Sequence, residues 1–329
     1  MPETLIVIPH YGSDQLLAEL FKSMGYALPA SGIGGPLTLI RQPSYSFLIV
    51  NNNISNIGFT AACNQGLRRA LNARPAFESV WLLNNDTAFE SRAQFEQSLA
   101  VLQFLSKTRD WAIVAQQVLH FEQPDFIIFG GAWECYPAGR HKSGLRSRGD
   151  CALPTEENWL SFCSVLVRTD LISCIGPMDE AFNNYYSDSD YSLAARQAGF
   201  RIGYAGKDSF LYHRVGQSSN PGQAQRQVLH NDYMAFWRKW IGGPRHAEYL
   251  RLMGAGSAPA GTSIPRTYFR AGDLALAALK YPELRLWLES LPGDQLLAFT
   301  DILDHFQHQQ PAAPFAQLCH ITREMLEPS

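Results

Sequence analysis

The sequence predicts a mostly parallel, doubly wound α/β sheet with a C-terminal helical appendage. Short apolar runs alternate with amphipathic helical segments up to residue 83, and three of these runs lead directly into polar residues. Uninterrupted apolar runs are typical of parallel strands covered by helices on both faces. In such sheets, ligands bind beyond the carboxyl ends of the strands. The polar residues that follow the runs therefore mark the expected functional edge.

The first predicted strand and helix form a βα unit. Residues 5–8 are a continuous apolar run that ends at Pro9. From Asp14 onward, apolar residues recur on one helical face. Ser13 or Asp14 can cap the start of this helix, and Gly25 can close its end.

Further elements follow in the same alternation. Strands are predicted at residues 37–40, 47–50 and 80–83, and a helix is predicted over residues 64–73. Residues 139–149, rich in Gly, Arg and Lys, are expected to form an exposed loop.

The chain after residue 213 is expected to be mainly helical. Residues 223–240 carry a broad apolar helical face, and residues 254–261 form a linker of small residues. Short helices are predicted between residues 271 and 326. We therefore expect a first domain of residues 1–240, followed by a linker and helical region of residues 241–329.

The C-terminal helices are a candidate homodimer interface. Leu284, Trp287 and Leu288 have the spacing of one helical face. The same face could instead bind another enzyme or cover the core.

Composition and charge exclude several classes of protein. The chain has 329 residues, of which 46% are apolar and 17% charged, and its formal charge is −3. The basic residues are dispersed, so no nucleic-acid partner is expected. The apolar runs are too short to span a bilayer, and the start lacks the basic region of a signal peptide. The six cysteines form no CxxC pair. A soluble cytoplasmic protein with reduced cysteines is therefore expected.

Two polar clusters carry the candidate chemistry. Asn84, Asn85 and Asp86 follow the predicted strand at residues 80–83, and residues 179–190 contain four acidic side chains. In isolation the first cluster is explained by an Asx turn, and the second by a solvated turn or a helix start. Alternatively, the oxygen ligands of the first cluster suit Mg²⁺ or Mn²⁺ bridged to a diphosphate. An acid of the second cluster could then act as a general base.

In order and content, these segments resemble the family 2 glycosyltransferases, which are inverting enzymes of the GT-A fold. The similarity is greatest to rhamnosyltransferase-like bacterial members. Residues 56–67 resemble the family's Asn-hydrophobic-Gly-Phe segment and Asn-x-Gly helix start, and residues 82–87 its strand-end metal motif. Residues 176–191 and 198–202 resemble its acidic series, and residues 212–219 its His-centred ending.

The resemblance covers roughly residues 4–219 and implies a role for each candidate residue. Asp188 is implied as the catalytic base. Asp86 is implied as the ligand of Mg²⁺ or Mn²⁺, with His213 as the second ligand. The implied donor-binding residues are Pro9, Tyr11, Asn51, Asn56, Gly58, Asn64, Asn84 and Asn85, and those on the acceptor side are Trp159, Tyr186 and Asp190.

The resemblance also implies the partners of the protein. The donor would be a nucleotide-diphosphate sugar, plausibly dTDP-rhamnose or a UDP-sugar. The acceptor would be a hydroxyl of a cell-surface glycan precursor or of a lipid-linked acceptor. Peripheral association with the inner face of the membrane belongs to the same expectation.

Two departures from the family pattern leave an alternative open. Ser187 stands where the family has a glutamate before the base, and residues 51–53 stand where it has an Asp-Asn-x-Ser motif. The alternative is a degenerate, non-catalytic nucleotide-binding or scaffold module. A nucleotidyltransferase would require a Gly-rich basic loop after the first strand, which residues 9–13 do not provide.

Overall fold

The computed structural model describes residues 4–29, 33–133, 140–147, 149–214, 228, 231, 232, 235–241, 245–252, 268–278 and 282–298 of the chain. The chain divides into two compact units, which comprise Met1–Trp133 with Arg140–Asn220 and Glu134–Gly139 with Pro221–Ser329. The domain boundary at residue 240 stays a prediction. None of the helices in the described ranges has the length and apolar character needed to cross a membrane.

The first unit is built around an eight-stranded sheet and a five-stranded sheet. Its strands are β1 (Thr4–His10), β2 (Leu37–Arg41), β3 (Tyr45–Asn51), β4 (Ser79–Leu83), β5 (Thr87–Ala88), β6 (Trp111–Ala115), β7 (Gln117–His120), β8 (Phe126–Phe129), β9 (Ala132–Trp133), β10 (Arg140–His141), β11 (Gly144–Leu145), β12 (Thr155–Glu156), β13 (Ser164–Arg168), β14 (Arg201–Tyr204) and β15 (Phe210–His213).

The larger sheet has the strand order β12-β14-β6-β13-β4-β1-β3-β2. β1 is parallel to β3 and β4, and β14 is parallel to β6. β13 is antiparallel to both β4 and β6, so β1, β3, β4, β6 and β14 share one direction. β2, β12 and β13 run the opposite way. The predicted α/β class is confirmed, and the sheet is mixed in direction.

Helices pack against this sheet and complete the core of the first unit. They are α1 (Asp14–Ser23), α2 (Phe59–Asn72), α3 (Arg92–Thr108), α4 (Thr169–Ile175) and α5 (Ser187–Gln197). Every residue of β1 is buried, as expected for a strand covered on both faces. The predicted start of α1 is confirmed, because the Ser13 side chain accepts a hydrogen bond from the Gln15 amide.

Two sequence-based boundaries in the first unit are wrong. α2 begins at Phe59 rather than at residue 64, because amides of its first turn find acceptors in a distant loop. The segment 139–149 is not a simple exposed loop, because it contains β10 and β11, and the His141 side chain is partly buried.

The described part of the second unit is mostly helical. It contains a π-helix (Trp237–Ile241), α6 (His246–Leu252), α7 (Ala271–Ala277), α8 (Pro282–Glu289) and the antiparallel pair β16 (Tyr268–Arg270) and β17 (Leu296–Ala298). The predicted linker 254–261, half of the predicted helix 223–240 and the chain after residue 298 lie outside the described residues.

The predicted dimer face of α8 is used within the chain. Leu284 and Leu288 are both buried, and α8 packs against α7. The exposed leucine of this helix is Leu286. These two leucines are thus buried within the chain, and a homodimer interface through the C-terminal helices stays a prediction.

Candidate active site

Segments from several strand ends meet at one edge of the large sheet. The carboxyl ends of β1, β3 and β4 lie together because these strands are parallel neighbours. β13 is antiparallel to β4, so its first residue, Ser164, lies opposite Leu83 at the same edge. β5 pairs with β15 and places His213 opposite Thr87. The predicted site segments are thus brought together.

His10, which ends β1, holds two of these strand ends in place. Its ring is fully buried, with Nδ1 3.0 Å from Asn85 Nδ2 and Nε2 2.7 Å from Asp14 Oδ1. Because the side-chain amide of Asn85 donates to Nδ1, Nε2 is the ring nitrogen that can donate to Asp14, and Asn53 Nδ2 lies 3.2 Å from the same Nε2. Asn85 Nδ2 also donates to the Tyr11 carbonyl at 3.0 Å. No sequence motif points to His10, although Asp14 four residues later is a possible hydrogen-bond partner for it.

The asparagines that follow β3 also bind neighbouring segments. Asn51 Oδ1 accepts from the Asn53 amide at 3.2 Å, and its Nδ2 donates to a backbone carbonyl at 3.2 Å. Asn52, a buried residue that sequence analysis missed, accepts from the Ile57 amide at 2.9 Å and donates to the Gly58 carbonyl at 3.3 Å. The Asn51 side-chain amide is therefore hydrogen-bonded within the protein, and its role in donor binding stays a prediction.

Asn56 and Gly58 shape the turn into α2. Asn56 Oδ1 accepts from the Gly58 amide at 3.1 Å. Gly58 has φ +84°, and a Cβ there would lie 2.7 Å from Asn183 Oδ1. Both the backbone conformation and the close approach require glycine. The expected donor role of these two residues stays a prediction, and their observed role is to set the entry to α2.

Asn64 is a structural clamp. The side chain is fully buried, accepts from the Met178 amide at 2.9 Å and donates to the Met178 carbonyl at 2.8 Å. Its Nδ2 also lies 2.9 Å from Glu180 Oε1, and Arg68 binds the same carboxylate oxygen at 2.6 Å. With both ends of its side-chain amide hydrogen-bonded, Asn64 fixes the 176–180 turn. Its expected role in donor binding stays a prediction.

Asp86 and His213 form the candidate metal centre. His213 Nε2 lies 3.3 Å from Asp86 Oδ1, and the Asp86 side chain is 8% exposed. Backbone hydrogen bonds fix the positions of both residues. β5, which follows Asp86, pairs with β15, which ends at His213, and the Arg214 amide donates to the Asp86 carbonyl at 2.9 Å. The sequence related these two residues only through the family resemblance, and the structure places them in contact.

The donor set of this pair fits a divalent cation that is shared with a phosphate ligand. One carboxylate oxygen and one imidazole nitrogen suit Mn²⁺, and Mg²⁺ sites commonly take one or two carboxylates together with substrate phosphates. Within the described ranges, no group of three His, Cys, Asp or Glu side chains is placed to hold a metal. A cation at Asp86 and His213 would therefore need oxygens from a ligand to complete its coordination.

Asp188 lies in the first turn of α5, with its carboxyl group among protein atoms. Burial raises the pKa of this carboxyl to about 6, while hydrogen bonds from the Ser189 and Phe162 amides oppose the shift. Ser189 N lies 2.8 Å from Asp188 Oδ1. A carboxylate with a raised pKa at a ligand-binding edge of a sheet is suited to general-base chemistry near neutral pH.

Phe162 and Cys163 connect the candidate base with the candidate metal centre. The Phe162 amide donates to the Asp188 carboxylate, and the next carbonyl, that of Cys163, accepts from the Asn84 amide at 3.0 Å. Burial raises the pKa of the Cys163 thiol, and the charge of nearby Asp86 raises it further. Phe162 thus binds Asp188 and Cys163 binds Asn84, two residues before Asp86, so adjacent residues of one segment link the surroundings of the two acidic groups.

The residues around Asp188 have structural roles of their own. Tyr186 has φ +60°, an uncommon left-handed conformation for a tyrosine, and its carbonyl accepts from the Asp190 amide at 2.8 Å. Such strain often occurs at functional sites. Ser187 and Asp190 are both buried, each 2% exposed. The burial of Asp190 in the first turn of α5 suits a structural role, and the acceptor-side roles of Asp190 and Tyr186 stay predictions.

Trp159 belongs to an aromatic cluster with Phe129 and His141. Its ring lies 5.1 Å from that of His141 and 5.9 Å from that of Phe129, and it is 6% exposed. Its buried Nε1 has no hydrogen-bond partner among the described residues. Burial lowers the pKa of His141, the Ile128 carbonyl opposes this shift, and nearby His213 lowers the pKa further. The charge of His213 thus influences a member of this cluster, and no local motif points to His141 because its segment is predicted to be a loop.

Three predicted donor-side residues remain to be placed. Pro9 lies within buried β1 and contributes no polar group to a ligand. Tyr11 is 50% exposed just after β1, so its ring is accessible. The Asn84 side chain is partly buried, and its side-chain amide makes no hydrogen bond within the described part of the chain. Tyr11 and Asn84 thus remain the most accessible members of the predicted donor side.

Comparison with known proteins gives structural likenesses only. No protein-family model and no curated protein matches the chain. The crystal structure of GalNAc-T7 with UDP, GalNAc and Mn²⁺ is similar at 11% identity and TM-score 0.45, over 77% of this chain and 55% of that chain. S. aureus TarS 1-349 is similar at 12% identity and TM-score 0.41, over 99% of this chain and 89% of that chain. A197 from STIV is similar at 14% identity and TM-score 0.38, over 66% of this chain and 87% of that chain. Likenesses at this level do not identify a family or an activity.

Proposed function

We propose that this protein is an inverting glycosyltransferase of the GT-A type. It would transfer a sugar from a nucleotide-diphosphate donor to a hydroxyl acceptor in a single displacement. The observation that carries the proposal is the convergence of the Asp86–His213 pair and the Asp188 carboxylate on Phe162 and Cys163. A phosphate-sharing metal centre next to a carboxylate base is the arrangement that such a displacement requires.

On the donor side, Asp86 and His213 would bind the cation that accompanies the nucleotide diphosphate. A divalent cation held there neutralises the charge that develops on the departing diphosphate. Asn84 lies two residues before Asp86 and would contact the sugar or a phosphate through its side-chain amide, which makes no hydrogen bond within the described part of the chain. Exposed Tyr11 would stack against the nucleobase.

On the acceptor side, Asp188 would remove the proton from the attacking hydroxyl. The acceptor oxygen forms a bond to the anomeric carbon while the bond from that carbon to the diphosphate breaks on the opposite face. The configuration is thereby inverted. Unlike a glycosidase, the enzyme needs no second carboxylic acid, because the leaving diphosphate requires no proton. Tyr186 would border the acceptor.

The finer assignments belong to the same proposal. We infer that the donor is dTDP-rhamnose or a UDP-sugar and that the acceptor is a hydroxyl of a glycan precursor or of a lipid-linked acceptor in polysaccharide biosynthesis. The reaction would take place in the cytoplasm, at the inner face of the membrane where the acceptor is lipid-linked. These assignments rest on the motif resemblance of residues 56–67, 82–87 and 176–219.

The variant Asp188→Asn separates catalysis from binding. We expect this variant to lose transfer by a factor of about one hundred or more, the usual contribution of a positioned general base. It should still bind UDP or dTDP in the presence of Mn²⁺, because Asp86 and His213 are unchanged. Calorimetric titration and a transfer assay on the same preparation provide the two measurements. Full activity of Asp188→Asn would contradict the assigned base.

The alternative is a non-catalytic nucleotide-binding or scaffold module. The observation that favours it is the two-residue metal centre, with no third protein ligand in the described ranges. A scaffold of this kind should show no additional heat on titration of UDP or dTDP when Mn²⁺ is added. The transferase should show metal-dependent binding, so the same calorimetric experiment distinguishes the two functions.

A further inference from the structure

A basic groove lies beside the outer strand of the large sheet, away from the metal centre. It has a volume of about 630 Å³ and is formed by β2, the second half of α2 and the turn that follows α2. Its lining includes four arginines, Arg41, Arg68, Arg69 and Arg74, and no acidic residue. We call this feature the arginine groove.

The secondary structure explains why these side chains face one another. Leu37, Leu39 and Arg41 alternate along β2 and therefore point to the same face of the sheet. Arg68 and Arg69 lie in the second half of α2. This helix packs against β1 and β3, so β2 lies to one side of it. β2 is the outermost strand of its sheet. The groove is thus the uncovered strip of the sheet between its edge and α2.

The four arginines differ in whether other groups of the protein bind their guanidinium groups. Arg68 is paired with Glu180 at 2.6 Å, and Arg74 donates to the Leu71 and Ala73 carbonyls at 3.4 and 2.8 Å. Arg41 and Arg69 are exposed and make no ion pair within the described part of the chain. Two guanidinium groups therefore remain available to an external anion.

The charge and composition of the groove indicate a phosphate ligand. The chain as a whole has a formal charge of −3, so a lining with four cations and no acid is a local departure. All the cations are arginines, whose planar guanidinium groups bind phosphate oxygens in a bidentate manner. The volume lies within the usual range for ligand sites.

We propose that the arginine groove is a second binding site of this protein, specific for a phosphate-bearing anion. Arg41 and Arg69 are the main contacts, and Asn72 lies between them and the turn after α2 as a hydrogen-bonding group. The phosphate can belong to a lipid headgroup or to a free phosphate compound. The site is independent of the proposed transferase activity, because none of its lining residues contributes to the metal centre or to the base.

Two probes distinguish the sources of the phosphate. Tripolyphosphate represents a free phosphate compound, and vesicles of phosphatidylglycerol mixed with phosphatidylcholine represent a lipid headgroup, with pure phosphatidylcholine vesicles for comparison. Both titrations use the full chain in EDTA, so that a metal-dependent diphosphate site cannot contribute. Binding of either probe should weaken as salt is raised.

Matched variants test the residues. The double variant Arg41→Gln, Arg69→Gln should weaken binding about thirtyfold, at roughly fivefold for each arginine near an anionic phosphate surface. The control Lys22→Gln, Arg109→Gln removes the same charge from exposed positions outside the groove and should change affinity less than about threefold. Asn72→Glu keeps every arginine, adds a negative charge to the groove and should weaken binding at least about fivefold.

Each outcome decides the proposal. Loss of tripolyphosphate binding in the groove variants alone supports a free phosphate ligand, and the corresponding loss of vesicle binding supports a lipid headgroup. The proposal is overturned if neither probe binds the natural chain. It is also overturned if the control variant loses as much affinity as the groove variants. Asp86→Asn should leave both titrations unchanged. A result against the arginine groove can therefore be distinguished from a result against the proposed metal centre.

Discussion

At the scale of single residues, the properties of Asp188 come from its surroundings. The carboxyl group is withdrawn from water, which raises its pKa to about 6, and two backbone amides hold its oxygens in place. The ionised form is thus available at neutral pH, while the basicity exceeds that of an exposed aspartate. Ser187 is buried, so a charged side chain at that position would be costly here.

The pKa of Asp188 predicts the pH dependence of transfer. Because the base must be deprotonated, the rate should be constant above about pH 7 and should fall as the pH drops through about 6. Well below that pH, the rate should decrease tenfold per pH unit. The measurement is a pH–rate profile at saturating Mn²⁺ and donor. A rate that is constant from about pH 5 to 8 would show that no group with this pKa limits transfer.

The contact between Asp86 and His213 predicts a metal requirement that is coupled to the nucleotide. Two protein ligands bind Mn²⁺ weakly, and diphosphate oxygens would complete the site. Asp86→Asn should lower nucleotide affinity in Mn²⁺ at least about tenfold and leave affinity in EDTA unchanged. Asp125→Asn, at an exposed acid between β7 and β8, is the matched control. An equal effect of the two variants would exclude Asp86 as a specific ligand.

At the scale of elements, α2 connects the donor side with the base loop. Its first amides have no side-chain cap of their own, since Gly58 precedes them. They are satisfied instead from the loop before Asp188, because the Thr60 amide donates to the Asn183 carbonyl and the Phe59 amide to Asn184 Oδ1. The sequence predicts the helix start at residue 64, because partners more than one hundred residues away in sequence give no local signal.

The packing of α2 on β1 leaves no room at Gly66. A Cβ there would lie 2.3 Å from Val7 Cγ2, and the β-branched valine has few alternative rotamers. Gly66→Ala should therefore lower the free energy of unfolding by about 1–3 kcal/mol, despite the higher helix propensity of alanine. Urea unfolding provides the measurement.

Two further variants control for this effect. In a Val7→Ala background, Gly66→Ala should cost much less, because the clashing methyl groups are gone. Gly149→Ala has nothing within 4 Å of the added Cβ and should change stability little. If Gly66→Ala has the same cost in both backgrounds, steric contact with Val7 is not its cause.

At the scale of the whole molecule, the sequence predicts the sheet better than the site. The strands at residues 5–8, 37–40, 47–50 and 80–83 are each found with slightly wider bounds, because continuous apolar runs are a local signal. The antiparallel insertion of β13 and the smaller sheet depend on long-range pairing, so no local pattern indicates them.

The same distinction explains which site residues could be predicted. Asp86 and Asp188 stand in recognisable motifs, whereas His10 and His141 reach the site through neighbours distant in sequence. Asn64 and Asp190 are buried, and motif position alone does not predict burial. Local sequence therefore identified the acidic groups, and only the assembled fold distinguishes ligand-facing residues from structural ones.

The release of nucleotide diphosphate from a panel of nucleotide sugars is the most direct test of the proposed transferase. The panel should include dTDP-rhamnose and several UDP-sugars, incubated with the full chain in Mn²⁺, in Mg²⁺ and in EDTA. Slow hydrolysis of at least one donor is expected with a divalent cation, and Asp188→Asn and EDTA should each abolish it. Absence of metal-dependent turnover of every donor, with or without added glycan acceptors, would contradict the proposal.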